Sequence, residues 1–235
     1  MSDVVRSASG FGVRVGLRVA ADDADVIGPA LPYWWHDDGL ADEPERIWPV
    51  TPSNVESVMG ELELHVAEHA PGLVFVHAAV VAVDGHALLL PGRSHCGKST
   101  LAAELVRRGA AYGSDEYAVL QPDGLVRGYP RPLALRTSDG PHRVSAGELG
   151  GTVMPEPLPV GAVAELRYEP GAPVTLMPVS AADAALRLID NAVCAASRPA
   201  DTLTAVTGVV DGARAVAGTR ADAADVADEL LAMLR

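Results

Sequence analysis

One stretch decides the fold of this chain: Gly92, Arg93, Ser94, His95, Cys96, Gly97, Lys98, Ser99 and Thr100. Residues 92–99 fit the pattern G-x-x-x-x-G-K-[ST], in which a glycine-rich loop cradles phosphate groups. The glycines let backbone N–H groups approach phosphate oxygens, and the lysine supplies a positive charge for the β- and γ-phosphates. The serine hydroxyl suits Mg²⁺. The stretch, called the P-loop below, therefore predicts a binding site for a nucleoside triphosphate and Mg²⁺.

The segments on both sides of the P-loop have the order that the motif requires. Val80–Leu90 contains two short apolar runs separated by Asp84-Gly85, a typical hairpin turn. Ser99–Arg108 carries apolar residues at helical spacing, and Gly109 is expected to end the helix. Strand, glycine loop and helix thus follow one another, which disfavours a chance match.

The overall composition excludes several classes of protein. The chain has 235 residues, 49% of them hydrophobic, and a formal net charge of −13. Without a basic run to neutralise phosphates, nucleic acid is not an expected partner. Neither a signal peptide nor an apolar run of about 18 residues is visible, so no membrane partner is expected. The two cysteines, Cys96 and Cys194, have no metal-binding spacing and suit a reducing cytoplasm.

The N-terminal part is expected to form a lobe or cover over residues 1–70, followed by a nucleotide-binding catalytic domain over residues 71–235. Phe11–Val19 alternates apolar and polar residues and predicts a strand. Thr51–Ala70 predicts a helix, with Ser53 and Glu56 in the form of a capping box. The pair Trp34-Trp35 could stack on an adenine, but a role as a packing anchor is favoured.

The C-terminal part predicts a mixture of strands, helices and one long loop. We expect strands at Tyr112–Leu120, Leu125–Tyr129, Val163–Tyr168 and Val174–Val179, a loop over Arg131–Gly151, and helices at Ala181–Ala196 and Asp222–Leu234. Thr204–Ala217 is ambiguous between strand and helix.

Three polar residues near the P-loop are candidates for chemistry. Asp115 and Glu116 follow the predicted loop helix after a short turn, and a carboxylate there can reach the metal or the attacking group. Adjacent residues on an extended strand point to opposite sides, so different roles are expected for the two acids. His77 lies in an apolar strand, which also suits a hydrogen-bonded core residue. Hairpin pairing across Asp84-Gly85 nevertheless predicts that it lies near the phosphate site.

Val76–Leu120 resembles the catalytic domain of HPr kinase/phosphorylase, the bacterial serine kinase of the sugar phosphotransferase system. It looks still more like the short HPr-kinase-related proteins encoded beside genes for peptide natural products. The shared features are a histidine, a hairpin, a P-loop, an Arg-Gly step after the helix and a pair of acids. In this chain they are His77, Asp84-Gly85, residues 92–99, Arg108-Gly109 and Asp115-Glu116.

The resemblance implies a fold and a set of roles. The fold is α/β, a P-loop kinase core of the HPr kinase C-terminal-domain or phosphoenolpyruvate carboxykinase-like type, with a mixed central sheet and flanking helices. Asp115 would act as the base on the acceptor hydroxyl, with His77 supporting it, and Lys98 would hold phosphates. Glu116 would help to hold the metal together with Ser99.

Some positions depart from the family pattern. His95 stands where the family usually has glycine, and the second acid is Glu116 rather than aspartate. The region that serves reverse phosphorolysis in the family has no convincing copy here, so neither phosphorylase activity nor HPr as substrate follows from the resemblance. Arg131 and Arg136 lie in a stretch common in the short relatives and are candidate contacts for phosphate or acceptor.

Three functions are compatible with these features. The first is an ATP- and Mg²⁺-dependent kinase acting on a Ser or Thr hydroxyl of a peptide or small protein, such as a peptide natural-product precursor. The second is a kinase for a hydroxyl of a small metabolite. The third is a nucleotide-binding regulatory protein without catalysis. Whether the chain forms a homo-oligomer stays open.

Overall fold

The structure is a computed structural model that describes residues 3–32, 34–37, 43–92, 96–137, 140–155 and 157–235, leaving out the side chains of residues 136, 137 and 141. The chain divides into two compact units, one ending at Pro71 and the other beginning at Gly72. Within the described ranges, no helix has both the length and the apolar composition needed to cross a bilayer.

The first unit contains a three-stranded sheet and one long helix. Its elements are β1 (Asp3–Gly10), β2 (Val13–Ala20), α1 (Ala24–Ile27), β3 (Arg46–Val50) and α2 (Val55–His69). The central strand β2 pairs with β1 in antiparallel fashion and with β3 in parallel fashion. The sequence predicted β2 and α2 but not β1 or β3, whose alternation of apolar and polar residues is weaker.

Two details of the first unit bear on the sequence predictions. The ring of Trp34 packs so closely on Gly10 that a Cβ there would lie 2.4 Å from it, which agrees with a packing role. The predicted capping box is wrong, because Asn54 is the N-terminal cap of α2 and no side-chain cap bond forms there. The Asn54 side-chain oxygen instead accepts the N–H of Thr51 at 2.7 Å.

The second unit contains the remaining elements. They are β4 (Val74–Val83), β5 (His86–Pro91), α3 (Lys98–Arg107), β6 (Ala111–Ser114), β7 (Tyr117–Leu120), β8 (Leu125–Gly128), β9 (Leu133–Thr137), β10 (Gly140–Val144), β11 (Leu158–Tyr168), β12 (Thr175–Pro178), α4 (Ala181–Ile189), α5 (Pro199–Val210), β13 (Arg214–Arg220) and α6 (Ala223–Ala232).

A mixed sheet organises this unit. Its strands follow the order β12-β13-β11-β5-β4-β7-β8, with β6 also paired to β4. The three strands β5, β11 and β13 run parallel to one another, whereas β4 is antiparallel to β5, β6 and β7. The predicted mixed central sheet with flanking helices is therefore confirmed at this level.

Helices cover the sheet on both faces. One apolar core joins the sheet to α3 and α6, and a second joins it to α4 and α5. Strand β4 contributes Ala79 and Val81 to the first core and Ala78 and Val80 to the second. This explains why β4 has a continuous apolar sequence, as expected of a strand buried on both faces.

Three predictions for this unit need correction, and one open assignment is resolved. The expected loop over Arg131–Gly151 contains β9 and β10, which form an antiparallel pair, and Leu133 of β9 is buried in the core beside α3. The expected strand Tyr112–Leu120 is divided into β6 and β7. The helix expected to reach Ala196 ends at Ile189. Thr204–Ala217, which the sequence left open between strand and helix, contains the end of α5 and the start of β13.

Candidate active site

The hairpin of β4 and β5 brings His77 to the start of the P-loop. Asp84 and Gly85 form its two-residue turn with φ angles of 51° and 80°, the left-handed conformation that such hairpin turns require. At the far end of the hairpin, the N–H of Gly92 donates to the backbone oxygen of His77 at 3.2 Å. Gly92, the first residue of the motif, therefore lies directly beside this histidine.

The P-loop leads into α3 through a left-handed glycine. Arg93, Ser94 and His95 lie outside the described residues. Gly97 has φ of 83°, and no side-chain cap bond forms at the N-terminus of α3. The first N–H groups of a helix have no partner within it, and they favour an anion. The start of α3, with Ser99 partly exposed and Thr100 exposed, therefore suits phosphate.

The amino group of Lys98 lies against the loop itself. Its Nζ donates to the backbone oxygen of Gly92 at 2.7 Å and is 4.0 Å from Sγ of Cys96. A Cβ on Gly92 would lie 2.8 Å from the same sulfur, so a larger residue there would require the Cys96 side chain to move. These contacts place the lysine amino group beside Gly92 and Cys96.

Arg220 supports the P-loop from β13 and was not predicted from the sequence. The residue is 2% exposed, and its Nη2 donates to the backbone oxygen of Gly97 at 2.9 Å. Burial lowers the pKa of this guanidinium, partly offset by Cys96 and Tyr168. No sequence motif surrounds Arg220; only the pairing of β13 with β11 brings it under the loop.

Asp115 and Glu116 occupy a break in the sheet between β6 and β7. The hydroxyl oxygen of Ser114 accepts the N–H groups of Glu116 and Tyr117, both at 3.0 Å, and this turns the backbone away from a regular strand. Asp115 is buried, and its Oδ1 accepts the hydroxyl of Tyr112 at 3.0 Å. The expectation of one extended strand is therefore wrong at these two residues.

One guanidinium contacts both acids. Nη2 of Arg131 donates to Oε2 of Glu116 at 3.0 Å, and Nε lies 3.6 Å from Oδ1 of Asp115. Because a single flat group contacts both carboxylates, the acids do not face opposite sides as an extended strand would require. Arg136, the other candidate arginine, contributes its backbone to β9, and its side chain lies outside the described residues.

His77 contacts the second acid. Its Nδ1 lies 3.5 Å from Oε1 of Glu116, and its ring lies 4.8 Å, centroid to centroid, from that of Tyr117. The resemblance implied support for Asp115 instead. Burial raises the pKa of Glu116, but the His77 hydrogen bond and the charges of Arg131 and Lys98 outweigh it, so the pKa is lowered below 4.5.

The donor set near the loop suits Mg²⁺ better than a metal held by protein alone. In the described part of the chain, no three His, Cys, Asp or Glu side chains gather into a metal site. Mg²⁺ usually keeps several waters and binds through one or two carboxylates together with substrate phosphates. The Ser99 hydroxyl and the ionised Glu116 carboxylate are the groups that fit this kind of binding.

Comparisons with known proteins find matches among solved structures. No protein-family model matches the chain, and no curated protein matches it. Among solved structures, the chain is similar to the Hpr(Ser) kinase/phosphatase from Coxiella burnetii, with 15% sequence identity and a TM-score of 0.34. The match covers 68% of this chain and 97% of the other. The roles assigned below therefore rest on the contacts of this chain's own residues.

Proposed function

We propose that this protein is an ATP- and Mg²⁺-dependent kinase that transfers the γ-phosphoryl group to a Ser or Thr hydroxyl of a peptide or small protein. Phosphoryl transfer needs positioned phosphates, neutralised charge and a group that accepts the hydroxyl proton. The P-loop can position the phosphates, Lys98 can neutralise their charge, and the acid pair can accept the proton. All three lie at one edge of the sheet.

The observation that carries the proposal is the electrostatic link between the P-loop and the acid pair. The positive charge of Lys98 is near enough to Glu116 to help lower its pKa. The backbone of His77 bonds to Gly92 on one side, and its ring contacts Glu116 on the other. A phosphate held by Lys98 would therefore lie beside the acids.

Asp115 is the proposed proton acceptor. Its Oδ1 accepts the hydroxyl of Tyr112 and lies 3.6 Å from Nε of Arg131. Its neighbour Glu116 contacts His77 and Arg131. As the acceptor oxygen bonds to the γ-phosphorus and the bond to the β,γ-bridging oxygen breaks, the Asp115 carboxylate takes the hydroxyl proton and ADP leaves.

The other residues position groups and balance charge. The α3 amides and Lys98 bind phosphate oxygens, and Arg131 keeps the two acids together while it reduces their mutual repulsion. Mg²⁺, when bound by Ser99 and Glu116, supplies neutralisation of the β- and γ-phosphate charge. His77 holds the Glu116 carboxylate in place.

An acceptor screen tests the proposal. The protein is incubated with Mg²⁺ and γ-labelled ATP, together with peptides and small proteins encoded by neighbouring genes, and products are analysed by mass spectrometry. We expect one Ser or Thr to gain a phosphoryl group. Phosphorylation of a small metabolite alone would contradict the peptide acceptor, and tight ATP binding without any transfer would favour a regulatory role.

A further inference from the structure

A cavity of about 570 Å³ opens beside the P-loop in the second unit. Its wall begins at Gly92 and Cys96, continues along the last residues of β11 and β13, and ends at the C-terminal turn of α4. This volume lies within the range of about 300–1,000 Å³ that is typical of small-molecule sites.

The cavity lies at the carboxyl ends of three parallel strands. β5, β11 and β13 are parallel, and all three end at the cavity, which is the edge where ligands bind in parallel α/β sheets. Asp115 and Glu116 lie on the other side of β5, because β6 and β7 both pair with β4. No described residue of β4, β6 or β7 lines the cavity.

The wall combines an apolar surface with polar edges. Ala215 packs under α4 and α5, so Ala217, two residues further along the strand, faces the same side and lines the cavity. Glu165 of β11 pairs with Arg187 of α4 across one end. Asn191 adds a polar group beyond the end of α4. A flat base can pack on the strand surface, while ring nitrogens and ribose hydroxyls reach the polar groups.

The cavity is continuous with the phosphate side of the site. The backbone of His77 donates its N–H to the oxygen of Asn191 at 2.8 Å and accepts the N–H of Gly92 at 3.2 Å. The cavity wall and the start of the P-loop are thus both hydrogen-bonded to the backbone of the same residue, His77. A ligand with phosphates at the loop can extend into this space without crossing the acids.

We infer that this cavity binds the nucleoside moiety, base and ribose, of the triphosphate whose phosphates bind at the P-loop. This inference rests on the proposed function. With the nucleoside in this cavity, the acceptor is expected on the β4 side of β5. The nucleoside and the acceptor hydroxyl would then lie on opposite sides of this strand.

Calorimetry on the whole chain with Mg²⁺ tests the inference, using the β,γ-imido analogue of ATP and inorganic tripolyphosphate. The wild type is expected to bind the analogue at least about tenfold more tightly than tripolyphosphate. Equal affinities for the two ligands overturn the inference and leave the phosphate site intact. Failure of both ligands to bind the wild type would instead remove the proposed function.

A cavity-filling variant adds a second test. Ala217→Leu places extra methyl groups in the cavity, and it should weaken binding of the analogue about tenfold while the affinity for tripolyphosphate stays within about twofold. Ala182→Leu, the same change at an exposed site in the first turn of α4, is the matched control. An Ala217→Leu protein that melts like the wild type and binds the analogue as tightly overturns the inference. If this variant does not fold, the wild-type comparison of the two ligands decides.

Discussion

Two carboxylates share one arginine in the candidate site, and their different exposure separates their roles. The side chain of Asp115 is 1% exposed, whereas that of Glu116 is 28% exposed and that of His77 is 38% exposed. Adjacent acids repel each other, and each disfavours ionisation of the other. The positive charge of Arg131, which contacts both acids, offsets this repulsion. Glu116 is therefore poised to stay ionised, whereas Asp115 is almost completely buried.

The lowered pKa of Glu116 predicts how stability depends on pH. Because the folded-state pKa lies below the ordinary value of 4.5, the ionised carboxylate stabilises the fold above pH 4.5. This stabilisation is lost as the pH falls through the lowered value. We expect Glu116→Gln to lower the urea midpoint at pH 7, and the difference from the wild type to shrink at pH values below 4.5.

Glu229→Gln, at an exposed position of α6, is the matched control for the loss of one negative charge. A difference between Glu116→Gln and the wild type that stays constant from pH 7 to below pH 4.5 would show that the contacts of Glu116 do not depend on its charge.

Lys98 gives a second prediction at this scale. Lys98→Ala removes the charge expected to meet the β- and γ-phosphates, and charge-assisted contacts of this kind contribute about 1.5–3 kcal/mol. The affinity for an ATP analogue with Mg²⁺ should fall roughly 10- to 100-fold in calorimetry. Lys98→Arg keeps the positive charge, so its affinity for the analogue should fall less. Unchanged affinity in Lys98→Ala would mean that the P-loop does not bind the phosphates.

The sequence could identify these residues but not their contacts. The spacing of the P-loop motif points to Lys98 and Ser99, and the resemblance points to His77 and the acid pair. Neither could show that Arg131 joins the acids, because that contact depends on the turn at Ser114 and on the course of the chain after β8. Arg220 follows only from the pairing of distant strands, which leaves no local pattern.

At the scale of elements, predictions succeeded where apolar spacing was regular. The spacing in α2, α3 and α6 repeats over several turns, so these helices were predicted within a few residues. The sequence does not predict β9 and β10, because Pro, Gly and charged residues dominate their segment. The division between β6 and β7 depends on hydrogen bonds to the side chain of Ser114, and the spacing of apolar residues cannot predict such bonds.

The contact of Arg220 with the start of α3 gives a prediction for an element. Arg220→Ala removes a donor to the Gly97 carbonyl, which also accepts the N–H of Leu101 in α3. The Leu101 amide hydrogen should therefore exchange faster, and ATP-analogue affinity should fall about tenfold. Hydrogen exchange followed by mass spectrometry measures the first effect, and calorimetry the second.

Arg220→Lys keeps one charged donor and should recover part of both losses, which a purely structural defect would not allow. Exchange that rises equally in α3 and in the distant α5 would indicate general destabilisation and would contradict a specific support of the P-loop.

At the scale of the whole molecule, the second unit concentrates the proposed chemistry at one edge of a mixed sheet. The resemblance implied a mixed central sheet with flanking helices, and this coarse architecture is confirmed. The sequence could not predict the strand order, because β11 and β13 pair with β5 across long separations in the chain. The order matters, since it puts the cavity and the acids on opposite sides of β5.

The most direct test of the kinase assignment is single-turnover transfer from γ-labelled ATP to the acceptor found in the screen, with the wild type and Asp115→Asn compared. The amide is nearly the size of the carboxylate but cannot take the hydroxyl proton. We expect transfer to slow about 10²- to 10⁴-fold, while the affinity for the ATP analogue changes by less than about threefold. Transfer at the wild-type rate in Asp115→Asn would contradict the account, because the proton would then be accepted elsewhere.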